Sequence, residues 1–120
     1  MILVDTSVWI GHFRRGNVAL TALLDHADVL AHPFVIGELA CGNLRQRRRI
    51  LALLAALPVA KLADHDEVFT FVQANRLMGS GIGWIDAHLL ASATLTNTLL
   101  WTLDKPLARA ARAIGIHAGP

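Results

Sequence analysis

Four acidic residues, Asp5, Glu38, Asp86 and Asp104, stand at positions where folding alone does not ask for a carboxylate. Asp5 follows the aliphatic run Ile2-Leu3-Val4, and Asp104 follows Leu99-Leu100-Trp101-Thr102-Leu103, so each is expected at or just beyond the tip of a buried strand. Glu38 lies in Phe34-Val35-Ile36-Gly37-Glu38-Leu39-Ala40. Its helical neighbours three and four residues away are Phe34, Val35, Cys41 and Gly42, none of which can pair with it. Asp86 falls in the first turn of the most apolar helical stretch of the chain. Each acid has an ordinary reading: a turn residue at Asp5 and Asp104, a distant arginine for Glu38, a complement to the helix dipole for Asp86. The four together argue for a site. Carboxylates sharing a pocket repel unless a cation neutralises them, and an all-oxygen set selects Mg²⁺, with Mn²⁺ as substitute, over zinc. Such a site supports metal-assisted hydrolysis of a phosphodiester.

Those acids need a scaffold that brings distant segments to one edge. After the opening strand, Thr6 or Ser7 is a fitting N-cap for a helix with Val8, Trp9 and Ile10. Asn17 to Ala27 repeats apolar residues at helical spacing, and Val29-Leu30-Ala31 reads as a short strand. His32-Pro33 opens a third helix, with proline where a missing N–H costs nothing, and Gly42-Asn43 stop it. A basic-then-apolar helix is predicted over Gln46–Leu57, ended by Pro58, followed by a strand at Val59-Ala60-Lys61-Leu62. Asp64 and Glu67 have capping-box spacing and launch a helix expected to run to Met78. Gly79-Ser80-Gly81-Ile82-Gly83 is a loop that matches neither phosphate-loop nor dinucleotide fingerprints. A helix over Trp84–Thr96, a strand over Thr98–Thr102, a last helix over Leu107–Ala113 and an edge strand at Ile116-His117 complete the pattern. Strands alternating with helices predict an α/β fold whose parallel sheet is covered on both faces. Parallel-strand tips and the adjoining helix N-termini then meet at one edge, where open sheets of this class place their chemistry.

The chain has 120 residues, enough for one domain. Its 54% hydrophobic content and mean hydropathy of +0.48 imply a rich core or a surface covered by a partner. No apolar run reaches the ~18 residues of a membrane span. No basic region, apolar stretch and cleavage site open the chain, so no signal peptide and a cytoplasmic location are expected. The single cysteine, Cys41, suits a reducing compartment and is expected as a small core residue. The histidines form no metal-ligand spacing, and His88, two residues after Asp86, points away from it on a helix. Trp9, Trp84 and Trp101 all lie in core-like elements. Net charge is only +2, but nine of eleven cations are arginines, and Arg45, Arg47, Arg48 and Arg49 are nearly contiguous at the start of a helix. Cations there oppose the helix dipole, which favours an anionic partner over helix stability as their purpose. With Arg14-Arg15 they could surround an acidic pocket that cannot itself attract a polyanion.

In this pattern of residues the chain resembles the PIN-domain ribonucleases, in particular the VapC-type toxins of toxin–antitoxin pairs. The matching pieces are Asp5-Thr6-Ser7 after an aliphatic strand, Glu38-Leu39 in the third helix, Gly83-x-x-Asp86 opening an apolar helix, and Thr102-Leu103-Asp104 after a strand. They agree in order and spacing over essentially the whole chain. The resemblance implies one PIN domain over residues 1–120, an α/β/α sandwich around a parallel sheet of four to five strands. It further implies an Mg²⁺- or Mn²⁺-dependent endoribonuclease acting on structured RNA such as tRNA or rRNA. Asp5 and Asp86 match the principal metal-binding acids, Glu38 and Asp104 complete the catalytic quartet, and Thr6, Ser7 and Thr102 match hydroxyl positions that shape the pocket. A homodimer and a VapB-type antitoxin, bound through an apolar groove, are also implied. Arg45, Arg47, Arg48 and Arg49 are then candidates for contact with RNA or antitoxin.

Three other readings compete. An aspartyl-phosphate phosphatase would use Asp5 as nucleophile, but Ser7 stands where the common form of that chemistry needs a second acid. A PIN nuclease of RNA maturation would lack an antitoxin, which a short upstream reading frame would reveal. A silent RNA-binding or interaction module would have no need of an intact acidic quartet.

Overall fold

The computed structural model describes residues 1–119. Strand β1 (Ile2–Val4) is the middle of a parallel sheet with β2 (Val29–Leu30) on one side and β3 (Leu99–Trp101) on the other. Leu3 stands opposite Leu30 and Leu100 in the two ladders. Neighbouring strand side chains point to opposite faces, and Leu3 and Val4 are both fully buried, so both faces of the sheet are covered. The covering helices are α1 (Thr6–Arg15), α2 (Val18–Asp25), α3 (Pro33–Ala40), α4 (Arg47–Ala55), α5 (His65–Ala74), α6 (Trp84–Thr96) and α7 (Lys105–Ala113). None is long and apolar enough to cross a membrane.

The sequence predicts four to five strands; among the described residues the sheet has three. Both missing strands are present only as single parallel bridges, Val59 with Ala31 and His117 with Leu100. At the first edge, Ala31 N donates to Pro58 O and Ala60 N to Ala31 O, after which Lys61 N turns away to Thr96 Oγ1 at 2.9 Å. Val59 and Leu62 remain over half exposed, so no neighbour covers a longer strand. At the other edge Leu100 N donates to Ile116 O and Ala118 N to Leu100 O, and pairing ends there.

Helix α6 is the central helix. Every residue from Ala87 to Ala93 is buried, as its apolar sequence requires, and it packs on α5 and β3. The Asp64–Glu67 capping box forms, with Glu67 N to Asp64 Oδ1 at 2.8 Å and Asp64 N to Glu67 Oε1 at 3.0 Å. Helix α5 stops at Ala74, short of the expected Met78. Arg76 adopts a left-handed conformation with φ of +53° and Leu77 N closes on Val72 O, a helix stop made without glycine. Three further expectations need correction. Trp84 is 38% exposed, because it precedes the buried stretch of α6; it lies against Phe69, His65 and His88. Cys41, the C-cap of α3, is exposed. Helix α4 buries only Leu54 fully, and Leu53 is 60% exposed.

His32 caps α3 in an unusual way. Its Nδ1 accepts from Phe34 N at 3.0 Å, so the ring proton belongs on Nε2, which lies 3.2 Å from Ser92 Oγ on α6. Burial, and then the nearby His88, lower its pKa to about 4. The folded state therefore binds the proton less tightly than the unfolded chain. The stabilisation is complete above the unfolded value of 6.5 and is lost as pH falls toward about 4. Denaturant titrations should show stability falling across that window, and falling less steeply in His32→Asn, which can cap without titrating. An unchanged slope in the variant would assign the effect to another group.

Candidate active site

Asp5 occupies the N-cap position of α1, yet its side chain makes no capping bond; Thr6 and Ser7 lie inside the helix rather than capping it. The carboxylate is engaged across the sheet instead. Asp5 Oδ2 accepts from Ser7 Oγ at 2.9 Å and from Thr102 Oγ1 at 2.7 Å. Each hydroxyl also accepts a backbone amide at 3.0 Å, Ser7 Oγ from Leu103 N and Thr102 Oγ1 from Asp104 N. With both hydrogens directed to Asp5, the 3.3 Å approach of the two hydroxyls to each other is a contact of oxygens. Asp5 N donates to Trp101 O at 2.9 Å, so the ends of β1 and β3 are level. Asp5 is 6% exposed and Thr102 4%.

The other acids are held in the same manner, each by one oxygen. Thr6 Oγ1 donates to Glu38 Oε1 at 2.8 Å, Gly83 N to Asp86 Oδ2 at 3.1 Å, and Leu107 N to Asp104 Oδ2 at 3.0 Å. Among the described residues no protein group hydrogen-bonds the second oxygen of any of the four. Phe34 and Glu38 lie one turn apart on α3, and Phe34 packs edge-on against His88 of α6 at 4.9 Å, which fixes α3 against the helix that carries Asp86.

Asp86 feels the other three acids. Burial raises its pKa most, the Gly83 amide partly opposes it, and Asp5, Asp104 and Glu38 then each raise it further. The three carboxylates thus lie within electrostatic reach of Asp86. Among the described residues no three His, Cys, Asp or Glu side chains close around one point as a direct ligand cage. Mg²⁺ does not need one, since it usually keeps several waters and takes one or two carboxylates. Oxygen donors, mutual repulsion and an uncommitted oxygen on every acid fit that ion.

Of the arginine run, Arg45 lines a cavity of about 480 Å³ that also takes in Arg14 and Glu38. Arg47, Arg48 and Arg49 are exposed on α4 outside it, with Arg47 Nη1 reaching Gly42 O at 3.4 Å. The contiguous run is thus split between the rim of the acidic pocket and the open surface.

The PIN domain family model matches residues 2–113. Ribonuclease VapC32 of Mycobacterium tuberculosis, in two strains, is 46% identical over 117 residues, spanning 97% of this chain and 94% of that protein. The crystal structure of FitAcB from Neisseria gonorrhoeae shares the fold with a TM-score of 0.65 at 21% identity, over 93% of this chain and 94% of the other. A parallel sheet flanked by helices and these matches lead to one assignment: the chain belongs to the PIN-domain family and is of the VapC type.

Proposed function

We propose that this protein, as one PIN domain, is an Mg²⁺- or Mn²⁺-dependent endoribonuclease and the toxin of a toxin–antitoxin pair, cutting structured RNA such as tRNA or rRNA. The observation that carries this reading is the Asp5 carboxylate at the strand tip, held through one oxygen by Ser7 and Thr102 and close enough to act on Asp86, which is raised first by burial and then by Asp5, Asp104 and Glu38. Asp5 and Asp86 are the residues that would hold the ion. When bound, it lowers the pKa of coordinated water and neutralises charge on phosphoryl oxygens. Ser7 and Thr102 orient the Asp5 carboxylate by binding one oxygen and leaving the other toward the pocket. Thr6 does the same for Glu38. Glu38 and Asp104, more exposed than Asp5, are placed to orient or accept a proton from water.

A partner that silences the site has a place to dock. Trp9, Phe13, Leu24, Ile50, Leu53 and Leu57 line an apolar cavity of about 260 Å³ between α1, α2 and α4, of the kind an antitoxin helix fills. The exposed Phe69, Met78 and Trp84 form a second apolar surface, suited to the homodimer.

Incubation with total RNA and Mg²⁺ should give discrete fragments, abolished by EDTA. Asp5→Asn should lower cleavage by at least about 10²-fold, the scale of losing one charge-stabilising group, with its circular dichroism unchanged. Full activity in that variant would remove Asp5 from the chemistry.

Asp86 supplies a test independent of turnover. Its raised pKa means the folded state binds the carboxyl proton more tightly than the unfolded chain, so ionisation costs stability at neutral pH. Without metal, Asp86→Asn should melt at a higher temperature than the unaltered protein at pH 7, and the gap should close toward the ordinary value of 3.8. Added Mg²⁺ should raise the melting temperature of the unaltered protein alone. A variant that melts no higher at pH 7 would contradict the repulsion.

A further inference from the structure

The acidic pocket is bordered on its α7 side by a second cavity, of about 430 Å³. Its cations come from one face of that helix: Lys105, Arg109 and Arg112 follow at spacings of four and three. His117 and Trp101 also line it. No acidic side chain lines it among the described residues. One wall is Thr102, the residue whose hydroxyl is bonded to Asp5, so the cationic groove and the acids meet at a shared side chain.

Helix stability explains these cations only in part. Arg112 lies in the last turn, where a positive charge complements the dipole. Lys105 is the first residue of α7, where a cation opposes it, and Arg109 is mid-helix and exposed. His117 is held below its ordinary pKa by burial and then by Arg112.

We infer that Lys105 and Arg109 on α7, with Trp101 and His117, form the groove that holds the phosphate backbone of single-stranded RNA leading to the acids. The inference rests on the nuclease reading above and adds where the polyanion lies. Four carboxylates repel a phosphodiester at close range, and cations set along the approach offset that repulsion. The stripe runs away from Asp104, so neighbouring phosphates engage it while one linkage faces the acids. Trp101 gives a nucleobase an apolar wall at the same place.

The test measures binding of a fluorescent single-stranded oligoribonucleotide of mixed sequence, without metal so that the RNA stays whole, across a salt series. Lys105→Gln with Arg109→Gln should weaken binding about tenfold at low salt. The log–log salt slope should flatten by about 1.4, at about 0.7 for each of the two phosphates no longer neutralised. Lys105→Arg with Arg109→Lys should retain both values, and circular dichroism should match in all three proteins. Poly-L-glutamate serves as the acidic-protein probe. Unchanged RNA affinity and slope in the neutralised protein, while the unaltered protein still binds and cleaves RNA, would overturn the groove alone. Loss of poly-L-glutamate binding with RNA binding intact would also overturn it, in favour of an acidic protein segment. An unaltered protein that neither binds nor cleaves RNA would sink the nuclease reading and the groove with it.

Discussion

One oxygen of Asp5 holds two hydroxyl hydrogens, one from Ser7 two residues on and one from Thr102 at the end of the third strand. The arrangement of the pocket depends on this contact. It exists only because β1 and β3 pair in parallel register, which brings their carboxyl ends level. It also diverts the Asp5 side chain from capping α1, forgoing a bond worth about 1 kcal/mol. The same two hydroxyls receive the amides of Leu103 and Asp104, so the turn into α7 is placed by the group that places Asp5. Stability is given up here twice, in the missing cap and in the mutual repulsion that raises Asp86. A fold concerned with its own stability alone would do neither.

Charge is distributed so that this acidic centre can meet an anion. Arg14 and Arg45 border it on the side of α1 and α4, and Lys105, Arg109 and Arg112 border it on the side of α7. The net charge of +2 conceals this pattern of acids inside and cations around. In the proposed reading, a potential of this shape would draw in a long polyanion while leaving the acids to a small cation.

The parts of the structure legible in the sequence are those set by local chemistry. Ile2-Leu3-Val4 before Asp5 has one reading, a strand buried on both faces, and the Asp64–Glu67 spacing specifies its own hydrogen bonds. The approach of Asp5 and Asp104, and with them Glu38, toward Asp86 follows from parallel topology, which sends strand tips to one edge. The parts not legible are decided by neighbours distant in sequence. Val59-Ala60-Lys61-Leu62 is strand-like in itself, yet only Ala60 is buried while Val59 and Leu62 stay over half exposed, and it pairs at one residue. Trp84 and Cys41 belong to apolar segments but sit at helix ends, beyond the packed stretch. The α7 cations are inconspicuous along the chain because their spacing of four and three only forms a stripe once the helix is wound. The run at Arg45 to Arg49, by contrast, stands out in one dimension.

The placement of β1 has a consequence for how the protein comes into being. Strand β1 precedes both of its partners in the chain yet lies between them in the sheet, and Thr102, which completes its tip, is made 97 residues after Asp5. Long-range parallel pairing of this kind is slow to form and cannot begin before its partner exists. Until β3 has been made, therefore, Asp5 has neither its orienting hydroxyl from Thr102 nor Asp104 beside it. A nascent chain stalled or truncated before Thr102 lacks the assembled centre.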